Sequence, residues 1–192
     1  MGYTAEDEAL IREKWDDLLF SCTKICKNDE DWNFIKRAFF LAKEAHEGVR
    51  RRSGEPYLLH PIAVAKIVID EIGLGVKSVV AALLHDVSKG TPGHALAGAG
   101  LMSQLGYPEL APLIAQHNDL EEPSRTDEAA VVFLADKLRR GAAPVRVTER
   151  FRESLSRCRD EEARRAHGRR LEAALESARR INDICGKDVV QI

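Results

Sequence analysis

The chain has 192 residues, 44% of them hydrophobic and 31% charged, and a formal net charge of −2. This length and balance predict a folded domain with a substantial hydrophobic core, and the near-neutral charge gives no basic field of the kind that attracts nucleic acid. No apolar stretch is long enough to cross a bilayer and no signal peptide opens the sequence, so we expect no membrane partner. The four cysteines show no paired metal-binding spacing, which favours a reducing, cytoplasmic setting.

Helical periodicity begins at the N-terminus, and no alternating strand pattern appears, so the predicted fold class is all-α. Thr4 with Asp7 is typical of a capping box, which predicts a helix start at this point. A second helix is predicted to be capped by Asp29 or Asp31. Glycine and proline then indicate that residues 49–57 are a loop.

The remaining helices are separated by glycine, proline and polar breaks. Pro61 suits the first position of the third helix, because that position needs no backbone N–H. The predicted helices cover residues 61–73, 76–88, 95–106, 108–117, 128–140 and 146–186. The last range is one or two helices, and its many charges are most simply a solvated surface.

Three apolar runs end in side chains that can bind metal ions. His85 and Asp86 close the run that starts at Ser78, His60 follows two leucines, and Asp136 follows an apolar run of five residues. Imidazole and carboxylate are costly in an apolar environment unless something binds them. A divalent cation accepts both the nitrogen and the oxygen donors. The pattern therefore predicts that three helices direct these ligands at one point.

The ordered set of these four residues resembles the HD superfamily of metal-dependent phosphohydrolases. The resemblance implies an all-α helical bundle in which His60, His85, Asp86 and Asp136 hold a divalent cation. We expect residues 1–192 to be a single HD domain with a long charged C-terminal helical segment. Its expected parts are N-terminal helices at 5–48, a metal-site core at 49–140 and C-terminal helices at 146–186.

Residues 1–87 resemble one branch of the superfamily, the hydrolase domain of the RelA/SpoT alarmone enzymes. The similar stretches include residues 51–61 and 81–87. The resemblance implies that Arg51, Arg52 and Ser53 contact a nucleotide. A planar guanidinium suits both stacking on a base and pairing with phosphate.

After Val87 the resemblance changes. The alarmone enzymes follow His-Asp with a Glu-Asp pair that serves the attacking water, and Lys89 and Gly90 stand there in this chain. Residues 88–192 are instead similar to the HDIG-type phosphohydrolases. The chain thus resembles a mosaic joined near position 87, a pattern that fits a natural divergent protein as well as an engineered fusion.

The second resemblance implies further site residues. Lys89 is expected to face substrate phosphate, and His94 and His117 are candidate ligands of a second metal ion. Asn118 stands where many members have the second histidine of a His-His pair, which is a departure from that pattern. Asp86 and Lys89 are the expected catalytic residues.

Together these features predict a divalent-metal-dependent phosphohydrolase that cleaves a phosphate ester or diphosphate of a nucleotide. The mixed donor set favours Mn²⁺, with Fe²⁺, Co²⁺, Ni²⁺ or Zn²⁺ as alternatives, whereas Mg²⁺ prefers oxygen ligands. One rival function is a (p)ppGpp 3′-pyrophosphohydrolase, and another is a scaffold that binds metal or nucleotide without turnover. A third is a homo-oligomerisation module that uses residues 146–186 as its interface.

Overall fold

The computed structural model describes residues 2–186 and residue 188, and it confirms the all-α fold class. The helices are α1 Ala5–Cys22, α2 Asp29–Ala45, α3 Leu59–Lys66, α4 Val76–Leu84, α5 His94–Gln104, α6 Ala111–Ala115, α7 Glu128–Lys137, α8 Val147–Leu155 and α9 Glu161–Cys185. A π-helical segment, Ile67–Ile72, continues α3, and the hairpin strands are β1 Arg139–Arg140 and β2 Ala143–Pro144. Among the described residues, no helix is long and apolar enough to cross a membrane.

The first two helices begin at side-chain caps, of which one was predicted correctly. Thr4 Oγ1 accepts from the Asp7 N–H at 3.2 Å, and Asp7 Oδ2 accepts from the Thr4 N–H at 2.9 Å, so the predicted capping box is present. The cap predicted at Asp29 or Asp31 is wrong. Asn28 caps α2, because its extended backbone (φ −154°, ψ 173°) lets its amide oxygen accept from the Asp31 N–H.

The helices around the predicted ligands differ from prediction at their ends. The third helix begins at Leu59 rather than Pro61, and the proline is tolerated because it lies in the first turn. The π-helical continuation ends at Gly73, which has a φ of +84°. Helix α4 ends at Leu84, four residues before the predicted end, so Asp86 lies in the turn beyond it.

Two later helices are also shorter than predicted. The helix expected over 108–117 is regular only over Ala111–Ala115, and α7 stops at Lys137 instead of 140. Beyond α7, the two strands pair antiparallel around Gly141 and Ala142, a hairpin that the sequence pattern did not indicate. Gly141 has a φ of +66°, as tight hairpin turns often require at this position.

Helices α4 and α7 form the centre of the core. Every residue from Ser78 to Leu84 is buried, and so is every residue from Ala129 to Lys137. Helix α4 packs against α2, α3, α6 and α7, and α7 also packs against α9. Helices that are apolar on all sides are stable only when surrounded in this way. The two candidate ligand runs therefore end inside the molecule.

Candidate metal centre

The structure brings the six predicted metal ligands together from five segments of the chain. They are His60 in α3, His85 and Asp86 just after α4, His94 at the start of α5, His117 just after α6, and Asp136 in α7. All except His94 are buried. His60, Asp86 and Asp136 line a cleft of about 1200 Å³.

The first group of ligand atoms comes from His60, His85 and Asp136, and these atoms all lie within 4.8 Å of one another. His60 Nε2 is 3.0 Å from Asp136 Oδ1, and His85 Nε2 is 3.8 Å from the same oxygen. We call these three residues the inner triad. Its three side chains are the nitrogen and oxygen donors that a divalent transition metal accepts.

Asp86 belongs to a second group, the outer triad, with His94 and His117. Its Oδ1 lies 3.1 Å from His94 Nε2 and 3.3 Å from His117 Nε2. Its Oδ2 faces the inner triad, 3.4 Å from His85 Nε2. The four predicted ligands of one ion are thus arranged as three plus one, with Asp86 in the outer triad and one of its oxygens facing the inner triad.

Backbone carbonyl groups orient three of the imidazoles. The Nδ1 atoms of His60, His85 and His117 lie 3.0, 2.7 and 2.7 Å from the carbonyl oxygens of Gly141, Ala82 and Ile114, respectively. Because a carbonyl oxygen can only accept, each Nδ1 carries a proton and donates it. In the neutral rings, each Nε2 therefore presents a lone pair to the triads. Metal-binding histidines are commonly held in this way.

The surroundings of His85 Nε2 indicate whether these residues could bind a cation. This nitrogen is fully buried and makes no hydrogen bond to any described residue, although two carboxylate oxygens lie within 3.8 Å. A nitrogen lone pair and carboxylate oxygens repel one another unless a positive charge lies between them. A buried polar atom without a partner is costly. The donor set therefore fits a bound cation.

Neighbouring side chains hold the two carboxylates. The Tyr57 hydroxyl donates to Asp86 Oδ2 at 2.6 Å, and Lys137 Nζ donates to Asp136 Oδ2 at 2.7 Å. Lys89 Nζ lies 3.1 Å from Asp86 Oδ1. Sequence reasoning assigned no role to Tyr57 or Lys137. Their positions next to predicted motifs were the only available signal.

The electrostatics favour ionised carboxylates at Asp86 and Asp136 and neutral imidazoles at His60 and His117 at neutral pH. Burial raises the pKa of Asp86 and Asp136, but the surrounding imidazoles, with Lys137 at Asp136, outweigh it and hold both pKa values well below the usual range. Burial lowers the pKa of His60 and His117. Burial also acts to lower the pKa of His85, but the two carboxylates outweigh it and the pKa is raised. Ionised carboxylates and neutral imidazoles are the forms that bind metal ions.

The loop predicted to bind nucleotide forms one wall of the cleft. The Arg51 guanidinium carbon lies 5.1 Å from the centroid of the Tyr57 ring, and its Nε is 3.8 Å from Glu55 Oε1. Arg52 and Ser53 line the same wall and are exposed. Arg51 Nη1 is buried and has no hydrogen-bond partner among the described residues.

His46 is a buried histidine that contacts Tyr57, and we expect it to make the stability of the fold depend on pH. It is 1% exposed, and its ring centroid is 4.7 Å from that of Tyr57. Burial, the largest cause, lowers its pKa from 6.5 to about 4, so between these values the unfolded chain binds a proton that the folded chain excludes. We expect this histidine alone to lower the free energy of unfolding by about 3 kcal/mol as the pH falls from about 6.5 to about 4.

Urea unfolding at neutral and acidic pH measures this effect. His46→Phe should lose less stability on acidification than the natural chain, because the variant has no proton to take up at this position on unfolding. His60 and His117 shift in the same direction in both proteins, so only the difference between the proteins reports on His46. Equal losses would show that His46 is not held neutral by burial.

Comparison with known proteins finds similarity over this site. Residues 57–141 match the family model of the HD domain. The SpoT protein of Escherichia coli K12, a bifunctional (p)ppGpp synthase/hydrolase, is 48% identical over 58 residues, which are 30% of this chain and 8% of SpoT. A guanosine-3′,5′-bis(diphosphate) 3′-pyrophosphohydrolase of Haemophilus influenzae is 54% identical over 52 residues, 27% of this chain and 8% of that enzyme.

The chloroplastic protein RSH1 of Arabidopsis thaliana is 39% identical over 87 residues, which are 45% of this chain and 10% of RSH1. The chain thus matches a tenth or less of the length of these relatives. The matched family region begins at Tyr57 and ends at Gly141, so it contains all six candidate ligands. The similarity of residues 88–192 to HDIG-type enzymes stays a prediction.

Proposed function

We propose that the chain is a divalent-metal-dependent phosphohydrolase acting on a phosphate ester or diphosphate of a nucleotide, because residues 57–141 match the family model of the HD domain. The observation that supports this most directly is the buried Nε2 of His85, which has no hydrogen bond and faces carboxylate oxygens. We further propose that residues 1–192 are one domain, since the core cluster of buried side chains extends from Ile11 to Ile181.

The inner triad and Asp86 would hold the first ion. The donor set favours Mn²⁺, with Fe²⁺, Co²⁺, Ni²⁺ or Zn²⁺ as alternatives. A bound ion of this kind supplies a more acidic water and stabilises charge on a phosphoryl oxygen. His94 and His117, with Asp86, would hold a second ion, and the shared carboxylate would then contact both.

The remaining residues would bind and orient the substrate. Lys89, whose ammonium group lies at the outer triad, would offset phosphate charge. Arg51, Arg52 and Ser53 would hold the nucleotide on the wall of the cleft. A guanidinium pairs well with phosphate and stacks on aromatic rings.

A second candidate function is (p)ppGpp 3′-pyrophosphohydrolase. The relatives named for that activity favour it. Lys89 and Gly90 oppose it, because they replace the Glu-Asp pair of the alarmone enzymes. Gly90 has a φ of +99°, a backbone conformation that an aspartate adopts only with strain.

An assay with added Mn²⁺ tests both candidates. The substrates are ppGpp, nucleoside monophosphates, cyclic nucleotides and p-nitrophenyl phosphate. We expect hydrolysis of at least one substrate that stops when a chelator removes the metal and is lost in His85→Ala. Turnover that His85→Ala leaves unchanged would contradict the proposal. Metal and nucleotide binding without turnover of any substrate would instead support the scaffold alternative.

A further inference from the structure

The C-terminal helices form another part of the wall of the cleft. Arg150, Ser154 and Arg157 line it, and their spacing of four and three residues places them on one face of α8 and of the turn that follows it. The charged C-terminal segment was predicted to be a solvated surface. In the structure, one face of it lines the same cleft as His60, Asp86 and Asp136.

This wall is fixed in place by contacts between α8 and α9. Ser154 Oγ lies 2.9 Å from His167 Nε2, and the rings of Phe151 and His167 meet edge to face with centroids 5.1 Å apart. Phe151 is buried, and α9 packs in turn against the central helix α7. The arginine-bearing face is thus attached to the core that holds the ligands.

The arginines of the cleft differ in their pairing. Arg140 pairs with Glu153, and Arg170 donates two hydrogen bonds to Asp119, at 2.6 and 2.7 Å. By contrast, Arg150 and Arg157 form no ion pair or side-chain hydrogen bond with any described residue.

The lining of the cleft is cationic as a whole. Among the described residues, nine lysines and arginines line it against five carboxylates. Such a surface attracts anions and concentrates them near the site. A guanidinium group that has no partner in the protein can donate two parallel hydrogen bonds to the oxygens of one phosphate.

We propose that Arg150 and Arg157 form a second phosphate-binding site, separate from the phosphate that is cleaved. This inference rests on the proposed function, because it assumes that the cleaved phosphate lies at the triads. The preferred ligand would then be a nucleotide that carries phosphate at two separate positions. One position would reach the triads while the other pairs with α8.

Equilibrium binding, measured by calorimetry under conditions without turnover, tests the proposal. The probes are ppGpp, with phosphates at two positions, and GMP, with one. In Arg150→Gln/Arg157→Gln, we expect the affinity for ppGpp to fall by about tenfold or more, since charge-assisted hydrogen bonds are lost. The affinity for GMP should fall much less.

The matched control is Arg152→Gln/Arg159→Gln. It removes the same charge from two exposed arginines that do not line the cleft, and it should bind both probes as the natural chain does. If the affinity for ppGpp falls equally in the two double variants, the loss reflects only the change in net charge, and the proposal is overturned. Undiminished ppGpp binding by the cleft variant, or no binding by the natural chain, would also overturn it.

The outcome is separate from that of the hydrolysis assay. If no substrate is turned over but the cleft variant loses ppGpp affinity selectively, the phosphate site stands and the hydrolase proposal fails. If metal-dependent hydrolysis occurs and the cleft variant binds ppGpp as the natural chain does, the hydrolase proposal stands and the phosphate site fails.

Discussion

Asp86→Asn should abolish metal binding and hydrolysis with little change in side-chain shape. The natural carboxylate faces His85 through one oxygen and His94, His117 and Lys89 through the other. An amide has no negative charge and presents N–H donors to one side, where lone pairs now converge. We expect metal affinity and turnover to fall by more than about a hundredfold, beyond the usual loss for a residue that only orients a ligand.

Elemental analysis after Mn²⁺ loading and desalting, together with the hydrolysis assay, measures this loss. Asp70→Asn is the matched control, because Asp70 also accepts from lysine and hydroxyl groups but does not line the cleft. The control should retain metal like the natural chain. Full metal content in Asp86→Asn would mean that Asp86 is not a ligand, and the arrangement of two triads around one carboxylate would have to be abandoned.

Gly141→Ala should damage the site from outside the ligand set. The residue has a φ of +66°, and an added Cβ would overlap Glu55 Oε1 and lie 3.0 Å from Glu55 Cδ. Its carbonyl oxygen accepts from His60 Nδ1, so any shift of the turn rotates that imidazole. We expect destabilisation by about 1–2 kcal/mol from the backbone conformation alone, and a tenfold to hundredfold loss of metal affinity, roughly the range for disturbing an orienting partner.

Gly73→Ala is the control that separates the cost of backbone strain from the cost of the overlap with Glu55. Gly73 has a φ of +84°, but nothing lies within 4 Å of a Cβ built there. Thermal unfolding should show a similar backbone cost in the two variants, with an added cost at Gly141. Metal affinity should fall only in Gly141→Ala, and Glu55→Ala should restore part of it by removing the overlapping carboxylate. Equal metal affinity in both glycine variants would show that the hairpin does not position His60.

Local sequence patterns were sufficient to predict that the helices exist and to nominate His60, His85, Asp86 and Asp136. His94 and His117 were expected only from the resemblance of residues 88–192 to HDIG-type enzymes. The apolar runs before His85 and Asp136 predicted buried helices because their periodicity and length are local properties. The start of α2 was misplaced because residues 28–31 are all capable of capping or of occupying the first turn. Only the backbone conformation selects Asn28.

The grouping of the ligands was beyond reach of the sequence, because it depends on where turns direct the side chains. Asp86 contacts His94 and His117 only because α4 ends at Leu84 and a turn follows. The short hairpin that brings the Gly141 carbonyl to His60 has too few residues for a periodic signal. Likewise, the charge pattern of α8 predicts a charged face of the helix, but it does not indicate that this face lines the cleft.

The ligands come from separate segments of the chain, so binding of an ion is coupled to folding. His60 and Asp136 are 76 residues apart, so their convergence exists only when the helices between them are in place. An ion bound by both therefore acts as a reversible cross-link that favours the folded chain over the unfolded one. At a free ion concentration a hundred times the dissociation constant, this linkage stabilises the fold by about 2.7 kcal/mol. The supply of metal ions would then govern the stability of the fold as well as the proposed activity.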